Sequence, residues 1–229
     1  MHGKSPFPVV QNTVNIKEEY LVHLTPFWYN AYGGKARKKV WMVNTMKRKT
    51  AKEILAESFR EVAETKPIDK ITIQDIVDNC GYSPATFYRQ FSDKYDLIAW
   101  DYVTRTTAIM DKVGVDAYQW NNTLADAVKF YAENRVYIQN LLNNTSGHDA
   151  FVRYLSETNI GHLTRCIQKL NGRKELDNDT LIYVRMYCCG MVMTVCSWLM
   201  GDIACKEDDL AALFEQALPT PLKPLLYRE

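Results

Sequence analysis

Residues 72–94 read TIQDIVDNCGYSPATFYRQFSDK, and this stretch decides the fold. Thr72 stands before Ile73 with Asp75 three positions on, a helix cap followed by a first-turn acid. Ile73, Ile76 and Val77 recur at helical spacing and give a short helix one apolar side. Gly81 stops it, at a place where a positive φ closes a helix. Ser83 then caps a second helix, and Pro84 takes its first position, where the missing N–H costs little. Phe87, Tyr88 and Phe91 run along it. Ser92 is expected to cap again, with Asp93 beside it, and a longer helix is expected from about Lys94 to Lys112. Two short helices joined by a glycine-containing turn form a helix-turn-helix. Ile76, Val77 and Phe87 must meet to hold the crossing angle, and Phe91 closes the small core. The outer face then carries Tyr82, Ser83, Pro84, Thr86, Tyr88 and Arg89, small, polar or aromatic groups that suit a DNA major groove. A plain three-helix bundle with a solvated face has the same pattern, so spacing alone leaves both open.

Working outward, Ile54, Leu55, Phe59, Val62 and Ala63 form one face of an amphipathic helix that Lys66-Pro67 ends. Upstream, residues 1–45 differ from the rest: Pro6, Pro8, Pro26 and Gly33-Gly34 break any regular period. Residues 35–52 hold eight basic side chains and no acid. Either residues 1–45 are a disordered leader lying upstream of a start at Met46, or the basic stretch is an arm that follows DNA phosphates. Downstream the pattern is helical throughout: about Asn122 to Leu142, Asp149 to Leu170, Asp179 to Met200, and a last helix from about Glu207, ended by Pro219, Pro221 and Pro224. No stretch alternates as a strand does, so the fold class is all-α. The expected organisation is a leader (1–45), a helix-turn-helix domain (46–100) and a helical regulatory and dimerisation domain (101–229).

The net charge of +1 conceals an asymmetry. Residues 1–105 carry 16 Lys and Arg against 12 Asp and Glu, and residues 106–229 carry 12 against 15. A basic first half and an acidic second half suggest that only the first meets a polyanion. Six cysteines (Cys80, Cys166, Cys188, Cys189, Cys196, Cys205) show no CxxC or zinc-finger spacing, so neither a structural metal site nor any cofactor is expected. Five lie in apolar helical pattern as small core residues, which fits a reducing cytoplasm. Residues 181–200 are apolar enough to resemble a membrane span, but Arg185 inside and Asp202 at the end favour a buried helix and no membrane. Enzyme signatures are missing: there is no Gly-rich phosphate loop, GxSxG or HExxH, and His148-Asp149 sits where a helix cap is expected.

Residues 54–59 (ILAESF) and 71–98 (ITIQDIVDNCGYSPATFYRQFSDKYDLI) together resemble the DNA-binding domain of the TetR family, with Gly81, Tyr88, Phe91 and Lys94 in register. Val77 replaces a usual small residue, and Pro84 and Ala85 stand where Lys or Gly is common, so base preference does not transfer. The resemblance implies that Thr72 and Lys94 bind phosphate, one by its hydroxyl and one by charge, and that Tyr88 does so through its hydroxyl. Ser83, Ala85, Thr86 and Tyr82 would face base edges, with Pro84 among them. Arg89 either reaches a phosphate or pairs with Asp93 at i+4.

The same resemblance implies a second, helical domain that dimerises and often holds a ligand, and two joined readers require a roughly palindromic operator. The helix at 179–200, apolar nearly all round, is the expected dimer element, completed by the last helix; a core helix in a monomer is the competing reading. Residues 129–155 (KFYAENRVYIQNLLNNTSGHDAFVRYL) resemble a TetR subgroup that includes activators of dihydroxyacetone kinase operons. In that subgroup control runs through a protein partner as well as a small ligand. No ligand site stands out: Tyr131, Arg135, His148, His162 and Arg185 fit core or interface roles, and Met186, Met191, Met193 and Met200 fit core packing. An adaptor that keeps the fold but reads no DNA is the alternative function, although Tyr88, Lys94 and the basic stretch are all retained.

Overall fold

Thr50 caps the first described helix, α1 (Ala51–Ala63), through a reciprocal box: its Oγ1 accepts from Glu53 N at 3.3 Å and its N–H donates to the Glu53 carboxylate at 2.6 Å. The computed structural model describes residues 48–144 and 148–227, with the backbone alone at 148–150. The proposed leader, Met46 and basic residues 35–47 lie outside the described residues, as do the side chains of His148 and Asp149.

Leu55, Ala56, Ser58, Phe59 and Ala63 form the buried face of α1, and α1 lies against α2 (Ile73–Cys80). Ser58 Oγ donates to the carbonyl of Ile76 at 2.6 Å, a buried bond that ties the two helices at one register. A 3-10 turn (Ile68–Lys70) links them. The short α3 (Pro84–Tyr88) follows, then α4 (Lys94–Met110), whose first turns belong to the reader and whose later turns enter the body. The cap of α4 is Asp93, not Ser92. Asp93 accepts from Tyr95 N and Asp96 N at 2.8 and 2.9 Å, whereas Ser92 N and Oγ both donate to Asp96. A carboxylate that meets two orphan N–H groups near the positive end of the helix outcompetes a hydroxyl.

The body is built from α5 (Trp120–Glu133), α6 (Arg135–Asn144), α7 (His148–Asn171), α8 (Asn178–Met200) and α9 (Glu207–Gln216). The single helix expected over Asn122 to Leu142 is two. Asn134 departs from helical geometry (φ −110°, ψ 21°), and its Nδ2 donates to the carbonyl of Phe130 at 2.6 Å, ending α5 with its own side chain. The prolines do end α9 but do not end structure: a 3-10 turn (Thr220–Leu222) and α10 (Lys223–Leu226) follow, with proline in first positions that need no N–H. No strand occurs among the described residues.

Helices α7 and α8 pack together, α5 lies on α9, and α6 contacts both α7 and α8. Ile138, Leu141, Phe151, Leu155, Leu163, Val184 and Leu199 are fully or almost fully buried. Several polar groups in this core are paired, although Trp120 Nε1 is buried with no hydrogen-bond partner. Tyr102 and Tyr131 hydroxyls meet at 2.7 Å, and Asn159 Nδ2 donates to Tyr102 at 3.1 Å. His162 lies between Thr106 Oγ1 (3.2 Å) and the Arg165 guanidinium (3.0 Å), and burial, with Arg165 beside it, holds its pKa down to about 4. The six cysteines are free thiols.

Helix α8 has two apolar faces. Val184, Tyr187, Cys188, Val192, Val195, Trp198 and Leu199 are buried, while Ile182, Met186, Met193 and Met200 look outward, Met186 being 65% exposed. By length and composition it is also the one described helix that could cross a membrane.

Candidate nucleic-acid interface

Local chemistry sets the reader. Gly81 has φ +72° and its N–H returns to Val77 O, while Tyr82 N–H also reaches Val77 O at 2.9 Å. This left-handed residue turns the chain sharply enough for α3 to cross α2. Ser83 Oγ accepts from Thr86 N at 3.3 Å, and Pro84 opens α3. Ile76, Val77 and Phe87 are wholly buried, so the three residues required to hold the crossing angle do form its core. Phe87, Phe91 and Trp100 continue it as tilted or edge-on rings at 5.8 and 5.7 Å, and the Lys52 ammonium lies over the last two at 5.3 and 5.7 Å.

The outward face carries most of the expected residues. Ser83, Pro84, Ala85, Tyr88 and Arg89 are exposed, with Tyr88 at 60%, and Thr86 is half-buried. Tyr82 is half-buried against the core, at the edge of the face. Ser83 and Thr86 hydroxyls lie 3.1 Å apart, and Arg89 Nη2 donates to Thr86 Oγ1 at 3.1 Å. Arg89 therefore folds back along α3. It does not pair with Asp93, whose carboxylate is turned to the start of α4.

Thr72 and Lys94 are brought together elsewhere, at the two sides of the turn Ile68–Lys70. Thr72 N and Oγ1 both donate to Asp75 Oδ2 at 2.7 Å, and Lys66 Nζ donates to that same oxygen at 2.6 Å. Hydrogen bonds from Lys66 and then Thr72 hold the Asp75 carboxyl down to about 2. The Asp75 carboxylate thus ties Thr72 and Lys66 together in the first turn of α2, where a negative charge favours the helix. Lys94 donates to three carbonyls, Ile68 (2.7 Å), Ile71 (2.9 Å) and Asp69 (3.2 Å), which uses all three of its N–H groups. Partial burial lowers its pKa.

Two further groups join the reader to the body, and sequence reasoning did not find them. Asp101 on α4, almost fully buried, pairs with Arg60 of α1 and lies 3.9 Å from Arg105. Burial raises its pKa against the pull of the two guanidinium groups. Asn140 of α6 hydrogen-bonds the end of α1 and the turn that follows. The contacts that cross between elements have no local signal, because Arg60 lies 41 residues from Asp101 and Ile68 lies 72 from Asn140.

A cavity of about 70 Å³ lies inside the body between α5, α7, α8 and α9, with Trp120, Tyr131, Asn159, Met191 and Phe214 in its wall. It has room for a water or two and is far below the roughly 300–1,000 Å³ of ordinary ligand pockets. Among the described residues no three His, Cys, Asp or Glu side chains converge as metal ligands.

With this geometry in place, the sequence matches the family model of bacterial regulatory proteins of the tetR family over residues 55–99, and that of the transcriptional regulator C-terminal region over residues 118–219. The chain belongs to the TetR family. Its helix-turn-helix is the DNA-binding domain of a TetR-family transcription regulator, and the body is the helical C-terminal domain. The HTH-type dhaKLM operon transcriptional activator DhaS of Lactococcus lactis subsp. lactis (strain IL1403) is 22% identical over 101 residues, 44% of this chain and 54% of that protein. The chain thus spans about half the length of this relative. Two solved structures share the TetR fold. The dihydroxyacetone kinase operon activator DhaS superposes with a TM-score of 0.58 at 15% identity, covering 77% of this chain and 98% of that one. A TetR transcriptional regulator from Rhodococcus sp. RHA1 gives 0.53 at 16% identity, covering 78% and 100%.

Proposed function

We propose that the protein is a cytoplasmic, homodimeric transcription regulator that reads a palindromic operator through α3. The observation that carries this is the preset reading face. Gly81, the Ser83 cap and the buried Phe87 hold Ser83, Pro84, Ala85, Thr86, Tyr88 and Arg89 outward on one short helix. Ala85 and Thr86 supply methyl groups for thymine, Ser83 a hydroxyl for a base edge, and Tyr88 a hydroxyl for backbone phosphate. Arg89 reaches a phosphate by releasing Thr86. Thr72 and Lys94 act from behind the face: their donors hold Asp75 and the turn Ile68–Lys70, and so position α2 and α3.

The outward apolar face of α8 supports the dimer, because an exposed row of Ile182, Met186, Met193 and Met200 calls for a partner of the same kind. Two copies related by a two-fold axis set their α3 helices about 34–36 Å apart, or a multiple of it. For control, a small effector and a protein partner both stand: the cavity of about 70 Å³ between the body helices would have to repack to admit an ordinary ligand, whereas an open cleft of about 540 Å³ beside Asp111, Lys112, Tyr118 and Asn122 has room for one.

The test is genome-wide footprinting with the full chain beside a Tyr88→Ala/Arg89→Ala variant. Sharp palindromic sites that vanish in the variant support the reading. Sites indifferent to the variant, or none at all, point to the adaptor alternative.

A further inference from the structure

Helix α6 packs on α7 through its buried side and also reaches the ends of two other helices. At one end, Arg135 Nη1 donates to the carbonyls of Trp198 (3.1 Å) and Leu199 (2.9 Å), and its guanidinium lies over the Trp198 ring at 4.5 Å. Gln139 Nε2 adds a bond to Leu199 O at 2.6 Å. These are last-turn carbonyls of α8, beyond the reach of its regular i→i+4 ladder, and Trp198 O also accepts from Gly201 N at 3.3 Å. One residue on, Asn140 Nδ2 donates to Ala63 O (2.7 Å) and Lys66 O (2.9 Å), where α1 ends. Its Oδ1 accepts from Ile68 N (3.0 Å) and from Asn144 Nδ2 (2.9 Å). An amide has two N–H donors and two acceptor lone pairs, and in Asn140 all four are engaged.

The turn that Asn140 grips leads into the reader. Ile68–Lys70 is held at its first N–H by Asn140 and at its carbonyls by Lys94, and two residues later Thr72 caps α2. Other described links from reader to body run onto α4 or are apolar. Helix α4 is one continuous rod about which the reader can pivot, Arg60 joins α1 to that same rod, and Phe59 and Tyr137 meet edge to face at 6.1 Å, an apolar contact that tolerates sliding. Among the described residues, Asn140 is the body side chain that holds the end of α1 and the turn after it by directional bonds, whereas the bond from Tyr154 Oη of α7 to Ala99 O (3.2 Å) falls on α4 itself.

We infer that α6 is the strut between the dimer helix and the reader, and that Asn140 is the positioning residue that sets which half-site spacing the dimer accepts. This rests on the dimeric, operator-reading function proposed above. One added base pair moves a half-site by about 3.4 Å along the duplex and by about a tenth of a turn around it. A reader locked in angle rejects that change, and a reader free to pivot follows it.

The experiment selects half-sites from random duplexes with the full-length wild-type chain. The selected half-sites are then rebuilt at spacings from two base pairs shorter to two longer. Wild type, Asn140→Ala, Asn140→Asp and Gln139→Ala are titrated on the series, beside Val113→Ala, a buried change away from α6. Asn140→Asp keeps the shape of the side chain but turns a second oxygen to the carbonyls of Ala63 and Lys66. Wild type should reject a one-base-pair change by about tenfold or more, and both Asn140 variants should narrow this to about threefold, below the usual cost of a mismatched pair. Affinity for an isolated half-site and the profile of Val113→Ala should stay as in wild type, and Gln139→Ala should broaden the profile partway. Sharp wild-type spacing retained in folded Asn140→Ala and Asn140→Asp overturns the inference alone. So does an equal loss on isolated half-sites. A wild type that is monomeric or selects no duplex overturns the dimeric reading, and the inference with it.

Discussion

Lys94→Met separates two roles for one ammonium group. Met keeps the apolar stem and removes the donors to Ile68, Ile71 and Asp69 carbonyls. A hydrogen bond to a charged group contributes about 1.5–3 kcal/mol when well shielded. Here the ammonium is only partly out of water and the Asp69 bond, at 3.2 Å, is exposed. Counting the two shorter bonds, each discounted to about 1–1.5 kcal/mol for solvent, gives a loss of about 2–3 kcal/mol. For a chain of this size that lowers Tm by about 4–12 °C. DNA affinity of the variant is then followed against salt, well below its Tm. A phosphate contact contributes about 0.9 to the slope of log K against log salt. Because the Lys94 donors point into the protein, the slope should match wild type. A slope reduced by about 0.9 per protomer, with Tm nearly unchanged, would refute the reasoning and return Lys94 to the phosphate backbone.

Gly81→Ala should cost about 1–2 kcal/mol in chemical denaturation through backbone strain alone, because a Cβ there meets nothing within 4 Å but φ is +72°; an unchanged midpoint would show that the turn relaxes. His162 is buried neutral with its pKa near 4, so protons bind the unfolded chain first as pH falls below about 6.5. Stability is therefore full above about 6.5 and lost toward pH 4, by about 2 kcal/mol at pH 5, and urea midpoints of His162→Gln should show less of this loss. Met186→Asp puts a charge on the exposed α8 face and should give a monomer in sedimentation with its far-UV spectrum kept. Tyr88→Phe should weaken binding to all duplexes alike, by about 1 kcal/mol for one lost hydrogen bond, and a change in base preference would instead make Tyr88 a base reader.

Features written in short-range chemistry were legible in the sequence. Thr72, Gly81, Ser83 and Pro84 act on residues one turn away, so their types alone announce the boundaries of α2 and α3. The all-round apolar pattern of α8 likewise followed from composition. The Asn134 break was hidden because apolar residues continue in helical step on both sides of it, and an asparagine inside such a pattern looks like a solvated position. At α4 two adjacent cap residues competed, and only geometry shows that the Asp93 carboxylate reaches the N–H groups. Thr72 and Lys94 were recognised as important, but sequence cannot tell where a donor points. Asn140 was invisible, since three of its four bonds join segments that only the fold brings together.

The outward face of α8 also alters what stability means for this chain. If a second copy covers Ile182, Met186 and Met193, those contacts are present only in the dimer, and the part of the stability they supply depends on concentration. Each tenfold rise in protein concentration then favours the folded dimer by about 1.4 kcal/mol, so the melting temperature climbs with concentration. A regulator present at few copies per cell would sit at the low end of that scale. Its dimeric fraction, and with it the occupancy of its operator, would rise more steeply than the number of chains made.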